Sequence, residues 1–469
     1  MTNTDVLNRL LLSIALCALS TFLHPEEAVA ECEIVMPKVR LTQSPIGAGA
    51  QQIEWNGSEY FFVFNSGPDM NTYEIRSMRV AENGNKLDEN LFTQAQEYKN
   101  TCFPTWTGSV FGITWWELNN LTEKVRFTVL DSQGIKQFSE ISLNPTIEGL
   151  DTQSVPSISW DGSNFAVVWA ERLNDGDPYD VFMQRVSPTG DLVGGVIQVS
   201  DSTWTAYKPT VVWTGEHYLV FWVDERNNTF GEIFSAAISS DGMKLFGDIQ
   251  VTNGTWAERT KWLSAACNGN ECAIVWSDQD FNTTNASLSF SSTDNSGNPL
   301  NPWKIISEGS SMNNQIMPDI IWDGEHYALA WQTQSRAVNF CLLTTSGDII
   351  YKYEPFFDCP DGCEWATVAW SGTEYGYAWT DWGYGQKDVS FTEIRCAFPR
   401  YRILRADSKA KLPASPDTVF ETDALPFIDP DPVLTQGSFP DLLFYQVEPN
   451  INRIRLFKEP DTVSIHEHP

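Results

Sequence analysis

The chain has 469 residues and a formal net charge of −31, from 61 acidic and 30 basic side chains, with 19 tryptophans and nine cysteines. That charge disfavours nucleic acid and anionic membrane as partners, because both are bound by neutralising Lys and Arg. It suits a soluble acidic protein or one with a taste for cations.

Residues 1–30 read as a signal peptide. Arg9 precedes an apolar run from Leu10 to Leu23, and Ala28, Val29 and Ala30 offer small residues for cleavage. The run is shorter than the ~20 apolar residues of a membrane-spanning helix. No later segment has the length and apolarity to span. Leu16 before Cys17 argues against a lipoprotein signal. The expectation is a secreted or extracytoplasmic chain without a transmembrane span. Eight cysteines then remain, an even number that predicts disulfides in an oxidising compartment. Cys267 and Cys272 flank a four-residue turn, and Cys359 and Cys363 close a small loop; both pairs are disulfide candidates.

From residue 38 a W-x-G-x-x-Y/F unit governs the chain. It starts at Trp55, Trp106, Trp160, Trp213, Trp322 and Trp370, with a degenerate copy at Cys267, at spacings of 48 to 55 residues. The third copy shows the content of a unit. Residues 157–160 and 165–169 are strands around an Asp161-Gly-Ser-Asn164 turn. Residues 179–186 alternate as a third strand, and residues 196–200 form a fourth. Four short antiparallel strands per ~50 residues mean propeller blades. The fold class is therefore all-β, a propeller of four-stranded blades over residues 31–399. Seven blades are expected, with six or eight as alternatives. Residues 38–44 resemble a fourth strand and lie ahead of the first full unit. They are placed to complete the last blade and close the ring. Residues 400–469 read as an extended segment, rich in Pro and Asp over 408–440. A hairpin or degenerate blade at 442–457 follows.

The stretch from Ile158 to Trp169, followed by Asp180 to Gly190, resembles a repeat of secreted bacterial proteins, of the kind found in myxobacteria. The resemblance covers residues 38–396 and implies a propeller-like fold and an extracytoplasmic role. It implies no single activity.

Most tryptophans have structural posts. Trp115, Trp169, Trp222, Trp276, Trp331 and Trp379 end the second strand of their units and should pack between blades, with Phe64 in that place in the first. Trp204 and Trp256 lie in links between units and are candidate platforms for a glycan or peptide. Two residues after the strand-ending tryptophan stands an acid: Glu117, Glu171, Asp224, Asp278 and Asp381. Together they form a broken carboxylate ring on one face. They are ligand-binding candidates, or else cap turns and pair with neighbours such as Arg172 and Arg226. Asp175, Asp177 and Asp180 are the metal candidates, with Ca²⁺ the ion suited to such oxygen ligands, although an EF-hand pattern is lacking. No catalytic motif is present. His217 and His326 occupy one repeat position beside the turn and read as scaffold.

The leading reading is a secreted, non-catalytic propeller that binds an extracellular glycan or protein through its loop-rich face. The alternative is a polysaccharide-acting hydrolase or lyase using carboxylates near the central channel. A structural or adhesion component is the third.

Overall fold

The computed structural model describes residues 31–44, 47–67, 73–93, 98–119, 122–144, 155–174, 176–201, 203–227, 231–254, 258–280, 285–310, 314–334, 336–357, 359, 361–397 and, as backbone strands, 401–406, 418–422, 443–448 and 454–457. The signal segment 1–30, Asp175 and Trp256 lie outside the described residues.

The chain divides into two compact units. The larger, residues 33–395, is a ring of seven four-stranded antiparallel blades. Six blades run in chain order from inner to outer strand, over residues 48–91, 98–142, 157–198, 206–250, 258–307 and 315–357. The seventh takes Cys363–Trp370, Tyr375–Asp381 and Asp388–Ala397, and its outer strand is the N-terminal Glu31–Arg40. The N-terminal strand thus closes the ring, as the sequence predicts, and begins a little earlier than residue 38. The second unit contains one sheet in the order Thr418–Thr422, Tyr401–Ala406, Leu443–Glu448, Ile454–Phe457. The predicted hairpin is its last pair.

The repeat motif is the hairpin between the first two strands of a blade. The residue after each tryptophan accepts hydrogen bonds from the N–H groups two and three positions on. Asp161 Oδ1 accepts from Ser163 and Asn164 at 2.7 and 2.6 Å, and Asn268 Oδ1 from Asn270 and Glu271 at 2.9 Å each. This is why Asn, Asp, Ser or Thr stands there. The glycine that follows is left-handed in all seven copies, with φ between 91° and 108°, a region glycine enters without steric cost. The motif's outer residues are cross-strand partners whose rings touch, as in Trp160–Phe165 at 4.7 Å and Trp322–Tyr327 at 4.8 Å. In the fifth blade the same register position holds Cys267 and Cys272, joined by a disulfide. The degenerate repeat has replaced an aromatic pair with a covalent one.

The core lies between blades. The tryptophans ending the second strands are fully buried, and apolar side chains of adjacent blades share each cluster, as Val168 and Met183 do with Val220 and Trp222. Cys359–Cys363 is also a disulfide, and a third joins Cys32 to Cys396, on the two strands that close the ring. Pairing of all eight cysteines is not realised. Cys102 and Cys341 remain buried thiols in the second and sixth blades, where burial pushes the Cys102 thiol up to about 12. Each sits in a different blade core, where it packs as a small hydrophobe.

Candidate functional site

The five repeated acids point into the blades. Each is buried, at most 9% exposed. In the third, fourth and fifth blades the carboxylate accepts the indole N–H of the tryptophan two residues before it: Trp169 to Glu171 at 2.9 Å, Trp222 to Asp224 at 3.0 Å and Trp276 to Asp278 at 2.9 Å. Arg226 adds bonds to Asp224 from its backbone N–H, Nε and Nη2 at 2.9, 2.9 and 2.7 Å. In the second and seventh blades a cation takes the carboxylate instead. Arg126 holds Glu117 at 2.8 and 2.7 Å, and Lys38 holds Asp381 at 2.9 Å. The indole nitrogens of Trp115 and Trp379 are left without a partner among the described residues. The sixth blade has Thr333 in place of the acid, and Trp331 donates to Gln315 at 2.6 Å. These carboxylates satisfy buried donors, a need that follows from burying the indole.

Of the metal candidates, Asp177 accepts from Asn174 at 2.7 Å, and Asp180 from Ser200 and Gln198 at 2.8 and 3.1 Å. Burial raises the Asp180 carboxyl above its usual range. A second grouping, Cys359, Cys363 and Asp381, has metal-ligand proximity. Metal would need thiolates, and here the sulfurs are joined to each other while Asp381 accepts from Lys38 and from the Gly383 N–H at 2.8 Å. Trp204 is 53% exposed on the link between the third and fourth blades.

The main cavity is the central channel, about 710 Å³ and lined by the innermost strand of every blade. These strands have no neighbour on the channel side, so their edge groups must be satisfied otherwise. In three blades the residue three before the strand-ending anchor helps to do this. Ser157 Oγ accepts from the Val211 N–H at 3.2 Å, Ser264 Oγ from Ile320 at 3.3 Å and Asp319 Oδ2 from Val368 at 3.1 Å. Thr367 donates to Asp319 at 2.7 Å and lies 3.3 Å from Gln52 Oε1. The result is a partial polar belt that links the third blade to the fourth and the fifth through the seventh to the first.

Two acids line the channel, Asp319 in this belt and Glu54 one residue before Trp55. Burial, then the nearby Asp319 charge, pushes the Glu54 carboxyl up to about 8. It makes no hydrogen bond or ion pair among the described residues. Burial also raises Asp319, with its bonds to Thr367 and Val368 opposing. The channel therefore holds a proton-bearing carboxyl beside a second, hydrogen-bonded one. Glu54 and Asp319 were not among the sequence candidates, though a signal exists. At the Asp319 position other blades carry Ser157, Thr210, Ser264 and Thr367, and at the Glu54 position Thr105, Ser159, Val212, Ala266, Ile321 and Ala369. Both acids break an uncharged pattern.

Four more lining residues stand at another level of the channel, five residues before the anchors: Lys208, Trp262, Met317 and Trp365. Each follows or sits within a register shift of its strand. The Trp262 and Trp365 rings meet edge to face at 6.0 Å, and Lys208 Nζ lies 5.2 Å from the Trp262 centroid.

Fold and cavity together define a seven-bladed β-propeller with an acidic, aromatic-collared axial channel. No protein-family model matches the chain, and no curated protein matches it in sequence. Its fold is similar to that of the BP39L lectin from Burkholderia pseudomallei, with a TM-score of 0.54 at 11% identity, covering 74% of this chain and 96% of that one. An oligogalacturonate lyase from Vibrio parahaemolyticus (TM-score 0.46, 11% identity, 79% and 97% covered) and the GH93 alpha-L-arabinofuranosidase of Fusarium graminearum (TM-score 0.45, 11% identity, 64% and 92% covered) are more distant in shape. At such identities the likeness is one of fold.

Proposed function

We propose that this is an exported, saccharide-processing propeller whose reaction centre is the Glu54–Asp319 pair in the central channel. The observation that carries the proposal is the presence of two acids in one channel, one hydrogen-bonded and one not. Glu54 is held protonated at neutral pH and free to donate, while Asp319 is fixed by Thr367 and the Val368 N–H. Burial raises both carboxyls, and they differ in their partners, Asp319 being hydrogen-bonded and Glu54 not; two carboxyls in unlike settings suit the acid and base roles of glycoside cleavage. In this reading Glu54 protonates the leaving oxygen and Asp319 acts as the partner base or nucleophile. The Trp262 and Trp365 faces supply apolar surface for the sugar rings. Three disulfides fit an oxidising compartment.

The second reading is saccharide binding without cleavage, favoured by the exposed Trp204 ring on a link. Incubation with a polysaccharide panel, scored for shortened products and for retention, separates the two. Products from wild type and none from Glu54→Gln support the enzyme. Retention by both without products supports the binder.

A further inference from the structure

The collar around the channel mouth has a conformational oddity. Lys208, Met317 and Trp365 have left-handed backbones, with φ of 52°, 53° and 57°. For residues bearing a Cβ this region is sterically unfavourable, and glycine in these places would remove the cost. The same repeat position thus keeps three large side chains where the backbone prefers none. Strain held at a cavity rim is a pointer to function.

Their surroundings hold them in place. The Trp365 N–H donates to Gln332 Oε1 and its carbonyl accepts from Gln51 Nε2, so neighbouring blades pin it on both sides. Trp262 and Trp365 are half-buried, unlike the fully buried tryptophans of the blade cores. Their rings therefore keep surface facing the channel. Lys208 is the one Lys or Arg among the described residues lining that channel, whose other charges are Glu54 and Asp319. Its ammonium lies over the Trp262 ring, 5.2 Å from the centroid, so a sugar packed against this ring pair would meet its charge.

We infer that the Lys208–Trp262–Trp365 collar is a specificity subsite for a sugar bearing a carboxylate, a uronate unit, with the rings stacking on the sugar and Lys208 pairing with its charge. The inference rests on the channel being a saccharide site. The chain's net negative charge opposes an acidic polymer only at long range, since the screening length is ~8 Å in physiological salt. Lys208 acts at contact.

The test uses matched neutral oligosaccharides and their uronate counterparts in the gluco, galacto and manno series, with a sulfated oligosaccharide as a further arm. Calorimetry on full-length Glu54→Gln measures binding without turnover. The expected result is a uronate preference in one series. Adding Lys208→Met should weaken the uronate about tenfold, in keeping with a lost charged hydrogen bond, and leave the neutral sugar unchanged. Lys208→Gly should show the same selectivity loss with a melting temperature at or above the parent, because strain is relieved. Equal affinity for neutral and uronate sugars, or a stronger response to sulfate, would overturn the subsite and leave the saccharide reading standing. Absence of binding to every sugar would overturn both.

Discussion

Removing Asp224 decides whether the repeated acids serve the scaffold or a ligand. Asp224 is fully buried and accepts four bonds, from Trp222 Nε1 and from three N–H groups of Arg226. Asp224→Ala strands the buried indole donor, a loss of about 1–3 kcal/mol. It also breaks a buried ion pair from one side, worth about 3–5 kcal/mol. Arg226 is 21% exposed and keeps its bridge to Asp248, which limits the second loss. With the second loss at the low end of its range, the sum is about 4–6 kcal/mol. Glu171→Ala, whose carboxylate serves the neutral donors Trp169 and Asn144, should cost less, about 1–3 kcal/mol. Denaturant midpoints of the two variants beside wild type give the comparison. If Asp224→Ala stays within about 1 kcal/mol of wild type while saccharide binding is lost, the scaffold reasoning is refuted.

Glu54 makes stability depend on pH. Its folded carboxyl titrates at about 8, far above the unfolded value near 4.3. Between those values the unfolded chain is ionised and the folded one protonated, so stability falls as pH rises through that window. Glu54→Gln should flatten the fall and melt higher than wild type at pH 8.5; equal slopes in the two proteins would count against a buried proton. Reducing Cys32–Cys396, which spans 364 residues, should lower stability by roughly 6 kcal/mol on the chain-entropy scale, read as the melting shift of the double serine variant. An unchanged melting temperature would mean that strand pairing alone closes the ring. Gly376→Ala would put a Cβ 2.3 Å from the Tyr60 ring, which Trp55 and Phe391 flank at 4.8 and 5.0 Å. Overpacking there should cost about 1–3 kcal/mol at the joint between the last and first blades, and a neutral result would show that the joint yields.

The propeller is legible in the sequence because its signal is local. Trp160, Asp161 and Gly162 encode a ring contact, a capped turn and a left-handed residue within three positions, and the pattern recurs seven times. Even Cys267 and Cys272 keep the register of the aromatic pair they replace. The role of the repeated acids is half legible. Spacing places Glu171 and Asp224 beside their tryptophans, but only three dimensions show that the indole N–H takes the carboxylate. Glu54 and Asp319 are separated by 265 positions and line one channel from the two blades that flank the seventh. No local pattern joins them, and only their departure from uncharged positions in the other blades marks them. The collar is least legible, since the left-handed turn at Trp365 arises from a register shift against the neighbouring strand and not from a glycine.

The most direct test of the channel as reaction centre is product analysis on an oligosaccharide panel with wild type, Glu54→Gln and Asp319→Asn, each first shown to be folded by its melting transition. The account predicts cleavage of one saccharide class by wild type and its loss in both variants, with binding retained in Glu54→Gln. Cleavage that survives both substitutions, or folded wild type that neither binds nor cleaves any saccharide, would contradict it.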